Sequence, residues 1–162
     1  RGILLRERHC HHQGNSVRIQ SRSDQPNDIS IFFNTIVTSG AGIITSNSRN
    51  KSASSYQITH NAIFAGKPQP KLGLAKNNLV YDYQLAQQYL IQPYLPPGQL
   101  NLNLIFQNPI VPKLNNLPLQ NYLDWNVDFD GKISEQRFGA YTNEIKPRWY
   151  PNLEIKPVLT TK

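Results

Sequence analysis

The clearest alternation of apolar and polar residues is QLNLNLIF at residues 99–106. Leu100, Leu102 and Leu104 fall on one face of this segment, and asparagines fall on the other. A period of two residues is typical of a strand with one buried face and one solvated face. The pattern therefore predicts a half-buried strand here.

Two further segments are rich in β-branched and aromatic residues. They are ISIFFNTIVT at 29–38 and SYQITHNAIFA at 55–65, and this composition favours strands. SGAG at 39–42 predicts a turn, after which residues 43–45 could pair back as a hairpin.

One segment has the spacing of a helix. In LVYDYQLAQQYLIQ at 79–92, apolar residues recur at helical intervals from Leu79 to Leu90, and Pro93 follows. Because proline ends a helix at the residue before it, the pattern predicts one helix over about 79–92.

These elements together predict a mostly β fold. About six to eight short strands, with turn signals about every 8–12 residues, are typical of an antiparallel sandwich or barrel, or of a sheet with one helix at about 79–92. An α+β fold is the alternative. No strand–helix alternation and no glycine-rich phosphate loop is evident.

The chain of 162 residues divides by composition into two parts. Residues 1–28 are polar, rich in arginine and broken by Gly14 and Pro26, which predicts a flexible basic N-terminal arm. Residues 29–162 are expected to form a single β-rich globular domain. No apolar run reaches the roughly 18 residues of a membrane span, so no transmembrane segment is predicted in this chain.

Positive charge is concentrated in the first half of the chain. The net charge is +7, residues 1–22 hold five arginines and one acid, and residues 49–76 hold five basic residues and no acid. This distribution favours an acidic partner such as nucleic acid, an anionic surface or an acidic protein, although charge also serves solubility. The predicted contact residues are Arg6, Arg8, Arg18, Arg22, Arg49, Lys51, Lys67, Lys71 and Lys76.

The sharpest local motif is DWNVDFDGKISEQRF at 124–138. Asp130 and Gly131 lie between alternating apolar residues, which is a strong signal for a β-hairpin. Its NVDFDGKIS core also resembles an EF-hand or dockerin calcium loop. That resemblance implies a metal site made by Asn126, Asp128 and Asp130.

The calcium resemblance departs from its pattern at one position. Arg137 stands where the loop places an acid that supplies two oxygens to the metal. A cation there favours the hairpin, and calcium binding by the 126–137 loop is retained as an alternative. No other cofactor is predicted.

Candidate catalytic groups are sparse. HCHH at 9–12 has no second ligand pair, and His60 is the only other histidine. A metal-dependent nuclease would need converging acids, for which Asp130 with Glu144 or Glu154 are the candidates. The chain is therefore predicted not to be an enzyme, with the nuclease kept as an alternative.

These observations predict a structural or interaction domain that acts through sheet edges and loops. We expect a subunit of an extracellular, pilus-like or capsid-like assembly, secreted or on a cell or virion surface, with other protein subunits as partners. The alternatives are a nucleic-acid-binding domain that uses the basic N-terminal half, and a calcium-binding module.

Overall fold

The backbone of this chain is built mainly from short strands. The computed structural model describes residues 3–5, 8–9, 16–20, 29–46, 56–67, 77–95, 100–105, 126–128, 132–133 and 137–141. Most residues in these ranges lie in strands, and one short α-helix is present among them. The predicted mostly β class with a single helix is confirmed.

Eleven strands are found in the described part of the chain. They are β1 (Ile3–Leu5), β2 (Arg8–His9), β3 (Val17–Gln20), β4 (Ile29–Phe32), β5 (Thr35–Thr38), β6 (Ile43–Ser46), β7 (Tyr56–Thr59), β8 (Ala62–Ala65), β9 (Leu79–Asp82), β10 (Leu90–Gln92) and β11 (Asn101–Leu104). A 3₁₀ turn (Tyr83–Leu85) and helix α1 (Ala86–Tyr89) connect β9 to β10.

Nine of these strands form three parallel sheets. The first sheet has the order β1-β4-β7, the second β2-β5-β8-β9, and the third β3-β6. Ile3 pairs with Ile29, 26 positions later, and Ile29 pairs with Tyr56, 27 positions later. A chain that returns to the same sheet after each such interval winds as coils stacked along one axis, which is a parallel β-solenoid.

The predicted antiparallel arrangement is wrong for these three sheets. Instead of folding back as a hairpin, the 39–42 turn leads into β6, which pairs in parallel with β3 from 26 positions earlier. Antiparallel pairing joins β10 to β11. Local composition identifies a strand. The strand with which it pairs lies one coil away, so the local sequence does not predict the pairing.

Strands β1, β2 and β3 lie within residues 1–28, the segment predicted to be a flexible basic arm. In β3, Ile19 is buried and Arg18 is exposed, which is the period of two expected for a strand. The arginines concealed this pattern, because composition alone suggested a solvated segment.

The predicted helix over 79–92 is also shorter than expected. Leu79–Asp82 is strand β9, which pairs with β8, and the helix is limited to the four residues of α1 before β10 begins. The spacing of apolar residues was compatible with a helix. Pairing with the neighbouring coil overrides that local preference.

The interior of the solenoid is filled by aliphatic side chains stacked from coil to coil. Ile36 pairs with Ile63, and Ile63 pairs with Val80 in the next coil. Fully burying a side chain of this size contributes about 1.5–3 kcal/mol. The buried members of this inner core are Ile19, Ile29, Ile31, Ile36, Ile43, Ile58, Ile63 and Ala65.

A second core lies on the outer face of the second sheet. Val37, Phe64 and Tyr81 are aligned there by strand register, on the opposite face from the inner isoleucines. Helix α1 and strands β10 and β11 pack over them, together with residues 138–141. This outer core is therefore closed by the chain itself.

Strand β11 confirms the strand predicted from the leucine alternation. Its leucines are buried in the outer core, as expected. The predicted solvated polar face is wrong for Asn103, which is 1% exposed, and its side-chain nitrogen donates to Oδ1 of Asn101 at 2.6 Å.

Candidate functional site

The corner between the first and second sheets carries a ladder of three asparagines. Oδ1 of Asn61 accepts hydrogen bonds from the backbone N–H and from Nδ2 of Asn34, both at 3.0 Å. Oδ1 of Asn78 accepts the same two bonds from Asn61, both at 2.9 Å. Each side chain thus joins one coil to the next inside a buried corner.

The side-chain nitrogens of the ladder satisfy backbone carbonyls at the same corner. Nδ2 of Asn61 donates to the carbonyls of Ile31 and Thr59, and Nδ2 of Asn78 donates to the carbonyl of Ile58. Buried carbonyl groups without a partner are costly, so these bonds stabilise the change of direction between sheets.

The residue before each ladder asparagine has a left-handed backbone. The φ angles of Phe33, His60 and Asn77 are 56°, 57° and 67°. This conformation is uncommon for residues other than glycine, and here it recurs at the same position of successive coils. The rings of Phe33 and His60 consequently lie edge to face, 5.7 Å apart between centroids.

Residues 137–141, which we call the covering segment, lie against this corner. The guanidinium of Arg137 lies 3.9 Å from the centroid of the Phe33 ring, and Phe138 stacks on His60 at 6.0 Å. The backbone N–H of Gly139 donates to the carbonyl of His60 at 3.0 Å. The corner is thus covered by a later part of the same chain.

His60 has the environment of a structural histidine, as predicted. It is 2% exposed, and Nδ1 lies 2.8 Å from the hydroxyl of Thr59. The rings of Phe33 and Phe138 pack against the His60 ring.

The described part of the acidic motif forms a hairpin, as predicted. Val127 and Ile133 form an antiparallel bridge, and the backbone N–H of Asp128 donates to the carbonyl of Lys132 at 2.7 Å. The Asp128 carboxylate accepts from the backbone N–H of Lys132 at 2.8 Å. It therefore helps to close the turn.

Arg137 ties this hairpin to the solenoid corner. Its Nη1 donates to the carbonyl of Asn126 at 3.1 Å, and Nη2 donates to the carbonyl of Val127 at 3.0 Å. The guanidinium thus lies next to two of the residues assigned to the calcium loop. The third, Asp130, lies outside the described residues, so calcium binding at Asn126, Asp128 and Asp130 stays a prediction.

Two of the predicted basic contact residues are described with their side chains. Arg18 and Lys67 are both exposed. Ser16 donates to the carbonyl of Ala41, and Lys67 donates to the carbonyl of Gly40, so segments of three successive coils meet at the 39–42 turn. The backbone of Lys67 thus lies at this turn, and Arg18 lies two residues after Ser16.

The other predicted contact residues are not described in this way. Arg8 lies in β2, where only its backbone is described. The residues outside the described ranges are Arg6, Arg22, Arg49, Lys51, Lys71 and Lys76.

Strand β3 has an open edge among the described strands. Its one neighbour is β6, and the backbone N–H of Val17 donates to the carbonyl of Gly42 at 2.9 Å. In a parallel pair, successive residues direct both backbone groups to opposite sides. Val17 and Ile19 thus face β6, and Arg18 directs its N–H and carbonyl away from it.

Two tyrosines that pack in the outer core have raised pKa values. A hydrogen bond with the Tyr89 side chain, together with burial, raises the pKa of Tyr81 above its ordinary value of 10.0. Burial also raises the pKa of Tyr94, and its hydroxyl donates to the carbonyl of Tyr83. The raised pKa values move ionisation of these phenols further above neutral pH.

No group of three or more histidine, cysteine or acidic side chains is placed to hold a metal ion within the described ranges. In the same ranges, no helix has the length and apolar character needed to cross a membrane. Comparisons with protein-family models, with curated proteins and with solved structures each find no match.

Sequence reasoning did not identify the asparagine ladder. The sequence feature that corresponds to the ladder is an asparagine directly before each of β5, β8 and β9, in FFNT, THNA and KNNL. The separations are 27 and 17 positions, so no constant period marks the ladder. An observed strand register was needed to align these residues.

Proposed function

We propose that this chain is a non-enzymatic interaction module of an extracellular, pilus-like or capsid-like assembly. It joins other protein subunits through strand edges that lack a neighbour among the described strands. The observation that carries this proposal is the backbone of Arg18 in β3, which is directed away from the one described neighbour of that strand.

The physical basis is strand addition. An edge strand presents unpaired N–H and carbonyl groups, and an extended segment of another chain can pair with them. The described part of β1 and β2 also pairs on one side, with β4 and β5. All three strands of the first coil thus present an edge in the same direction along the solenoid axis.

The buried polar side chains support a structural role. The ladder asparagines connect coils, and the Asp128 carboxylate closes the hairpin turn. Those interactions account for side chains that, in an enzyme, would be candidates for binding or catalysis.

Sedimentation velocity tests whether the edge supports assembly. The net charge of +7 opposes contact between copies at about 20 mM salt, and about 500 mM salt screens that repulsion. We expect larger species to form as salt and protein concentration rise. Arg18→Pro should suppress them because it removes the outward N–H, whereas Arg18→Ala, which keeps that N–H, should retain them.

A monomer at every salt and protein concentration would contradict assembly between copies of this chain through the coil edge. Equal association of Arg18→Pro and Arg18→Ala would place the contact elsewhere on the surface.

Nucleic-acid binding is the second candidate, because Arg18 and Lys67 are exposed and the first half of the chain is basic. Binding of a generic DNA duplex should then weaken steeply between about 50 and 200 mM salt. Arg18→Ala and Lys67→Ala should each reduce the salt dependence. Absence of binding at about 50 mM salt would remove this candidate.

A further inference from the structure

Two tyrosines of the outer core lie face to face. Tyr81 pairs in register with Phe64 of the neighbouring strand, and Tyr89 is the last residue of helix α1. The centroids of the two tyrosine rings are 4.2 Å apart, and the ring planes differ by 20°. The Phe64 ring lies 5.9 Å from that of Tyr81 and 6.0 Å from that of Tyr89, so it packs against both. Strand β9 and helix α1 thus hold two phenols in one stack.

The hydroxyl groups of this stacked pair also meet. The two side chains share a hydrogen bond, so the Cε carbons beside each hydroxyl lie at the same end of the stack. Both residues are half-buried and keep part of their surface in contact with solvent. Phenoxyl radicals join through the faces of their rings at these carbons, and this stack presents those faces to each other.

A second tyrosine pair in the same region has a different geometry. The ring centroids of Tyr83 and Tyr94 are 5.1 Å apart, and the ring planes are tilted by 53°. The Tyr94 hydroxyl donates to the backbone carbonyl of Tyr83. It is therefore directed at the backbone and not at the other phenol, so this pair provides an internal control.

From this contrast we infer that Tyr81 and Tyr89 are an oxidative modification site, where a haem peroxidase and hydrogen peroxide join the two rings as dityrosine within one chain. Each phenol loses one electron and its hydroxyl proton, and hydrogen peroxide takes up both electrons and both protons to form two water molecules. A bond then forms between one Cε carbon of each ring. The hydrogen on each of these carbons moves to the oxygen of its own ring and restores the phenol.

The new bond fastens helix α1 to the second sheet. The two tyrosines flank the 3₁₀ turn Tyr83–Leu85, so the cross-link closes a short loop around it. Because α1 packs over the outer core, the modification holds the cover of that core in place. This inference is independent of the proposed function.

Peroxidase treatment of the full chain at low protein concentration tests the inference. Dityrosine fluorescence reports the reaction, and chymotrypsin, which cleaves after Tyr83 and Leu85, separates Tyr81 from Tyr89 unless they are joined. Mass spectrometry then identifies the linked peptides by the loss of two hydrogen atoms. We expect the Tyr81–Tyr89 product in at least about tenfold excess over the Tyr83–Tyr94 product, because fixed geometry raises the effective concentration of the reacting carbons.

Two substitutions and unfolding provide the controls. Tyr89→Phe keeps the ring but removes the phenol, so the product should be lost from a chain whose circular dichroism and melting temperature remain close to those of the wild type. Tyr83→Phe is the matched variant and should keep the product. Unfolding in urea should remove the preference for Tyr81 with Tyr89, because the two pairs have similar separations in the sequence.

Three results would overturn the inference. The first is equal yield of the two products in the folded chain. The second is wild-type dityrosine fluorescence in Tyr89→Phe, or a product confined to covalent dimers, because either places the link elsewhere. The third is a reaction that joins free tyrosine but leaves Tyr81 and Tyr89 unlinked in the folded chain.

Discussion

The inner coils and the first coil of this solenoid have the same order of strands, but they differ in the residue at the corner between the first and second sheets. At the inner corner, Asn34, Asn61 and Asn78 bond each coil to the next through side-chain amides. In the sequence, Glu7 stands directly before β2, and β2 begins with Arg8. The asparagine thus recurs before β5, β8 and β9, whereas a charged residue stands at the corresponding sequence position before β2.

The difference shows how stacked coils can be stable and still present a strand edge for pairing. A parallel solenoid adds stability coil by coil, because each coil contacts its neighbours alone. The ladder and the inner isoleucines stabilise the stacked coils. Charge beside a strand edge limits indiscriminate pairing with that edge.

The largest effect is expected from Asn61→Ala. Asn61 accepts two bonds from Asn34 and donates to the carbonyls of Ile31 and Thr59. Buried groups that lose a partner cost about 1–3 kcal/mol each, so we expect a loss of about 4 kcal/mol in the free energy of unfolding. Urea denaturation measures it. Gln57→Ala, at an exposed position of β7, is the control and should cost under about 0.5 kcal/mol.

The spacing of the coils is tested by Gly66→Ala. A Cβ atom at Gly66 would lie 2.1 Å from the backbone oxygen of Ser39, in the preceding coil. Because a backbone oxygen cannot rotate away, the coils must separate locally, and we expect a loss of about 3 kcal/mol. Thermal unfolding measures it against Lys67→Ala, whose side chain is exposed. Equal melting temperatures would show that the coils are not in close contact here.

The covering segment is tested by Gly139→Ala. Gly139 has a φ of 78°, and an added Cβ would lie 2.4 Å from Oγ1 of Thr35. We expect a loss of about 2 kcal/mol, together with faster hydrogen exchange of the Gly139 and Ala140 amides.

Thr35→Ala serves as the partner in a double-mutant cycle with Gly139→Ala. Oγ1 of Thr35 accepts from the backbone N–H of Ala140 at 3.0 Å, so Thr35→Ala alone should also destabilise the segment. The double variant should lose less than the sum of the two single changes, because the clash is removed with Oγ1. Strict additivity would mean that the two residues are not in contact.

The smallest effect concerns the outer core at high pH. Because burial raises the pKa of Tyr94 in the folded chain, the folded state disfavours its ionisation. The associated stability is complete below a pH of about 10 and is lost as the pH rises through the folded-state pKa. Tyr94→Phe should therefore make the free energy of unfolding fall less steeply above that pH. Identical slopes for wild type and variant would contradict this assignment.

Several strands could be predicted from the chain because their evidence is local. Strands β4, β5, β7, β8 and β11 lie in segments with β-branched residues or strict alternation. The parallel partners of β4, β5, β7 and β8 could not be predicted, because these pairings join residues 17 to 27 positions apart, as for Ile29 with Tyr56. The helix predicted over 79–92 is shorter than expected for the same reason, since β9 pairs with β8 of the coil before it.

The candidate site also combines features that could be predicted from the sequence with features that could not. The hairpin followed from Asp130-Gly131, which is a local turn signal. The exposure of Arg18 and Lys67 agrees with their charge. The contact of Arg137 with the carbonyls of Asn126 and Val127 depends on side-chain placement that no spacing rule supplies. The open edge likewise required the observed register of β3 against β6.

Hydrogen exchange of the first three amides of β3 tests the central claim most directly. The N–H groups of Val17 and Ile19 face β6, and that of Arg18 faces the open edge. We predict slow exchange at Val17 and Ile19 and fast exchange at Arg18 in the free chain. Equal protection of all three amides in the free chain would show that this edge is already covered, and would contradict the account.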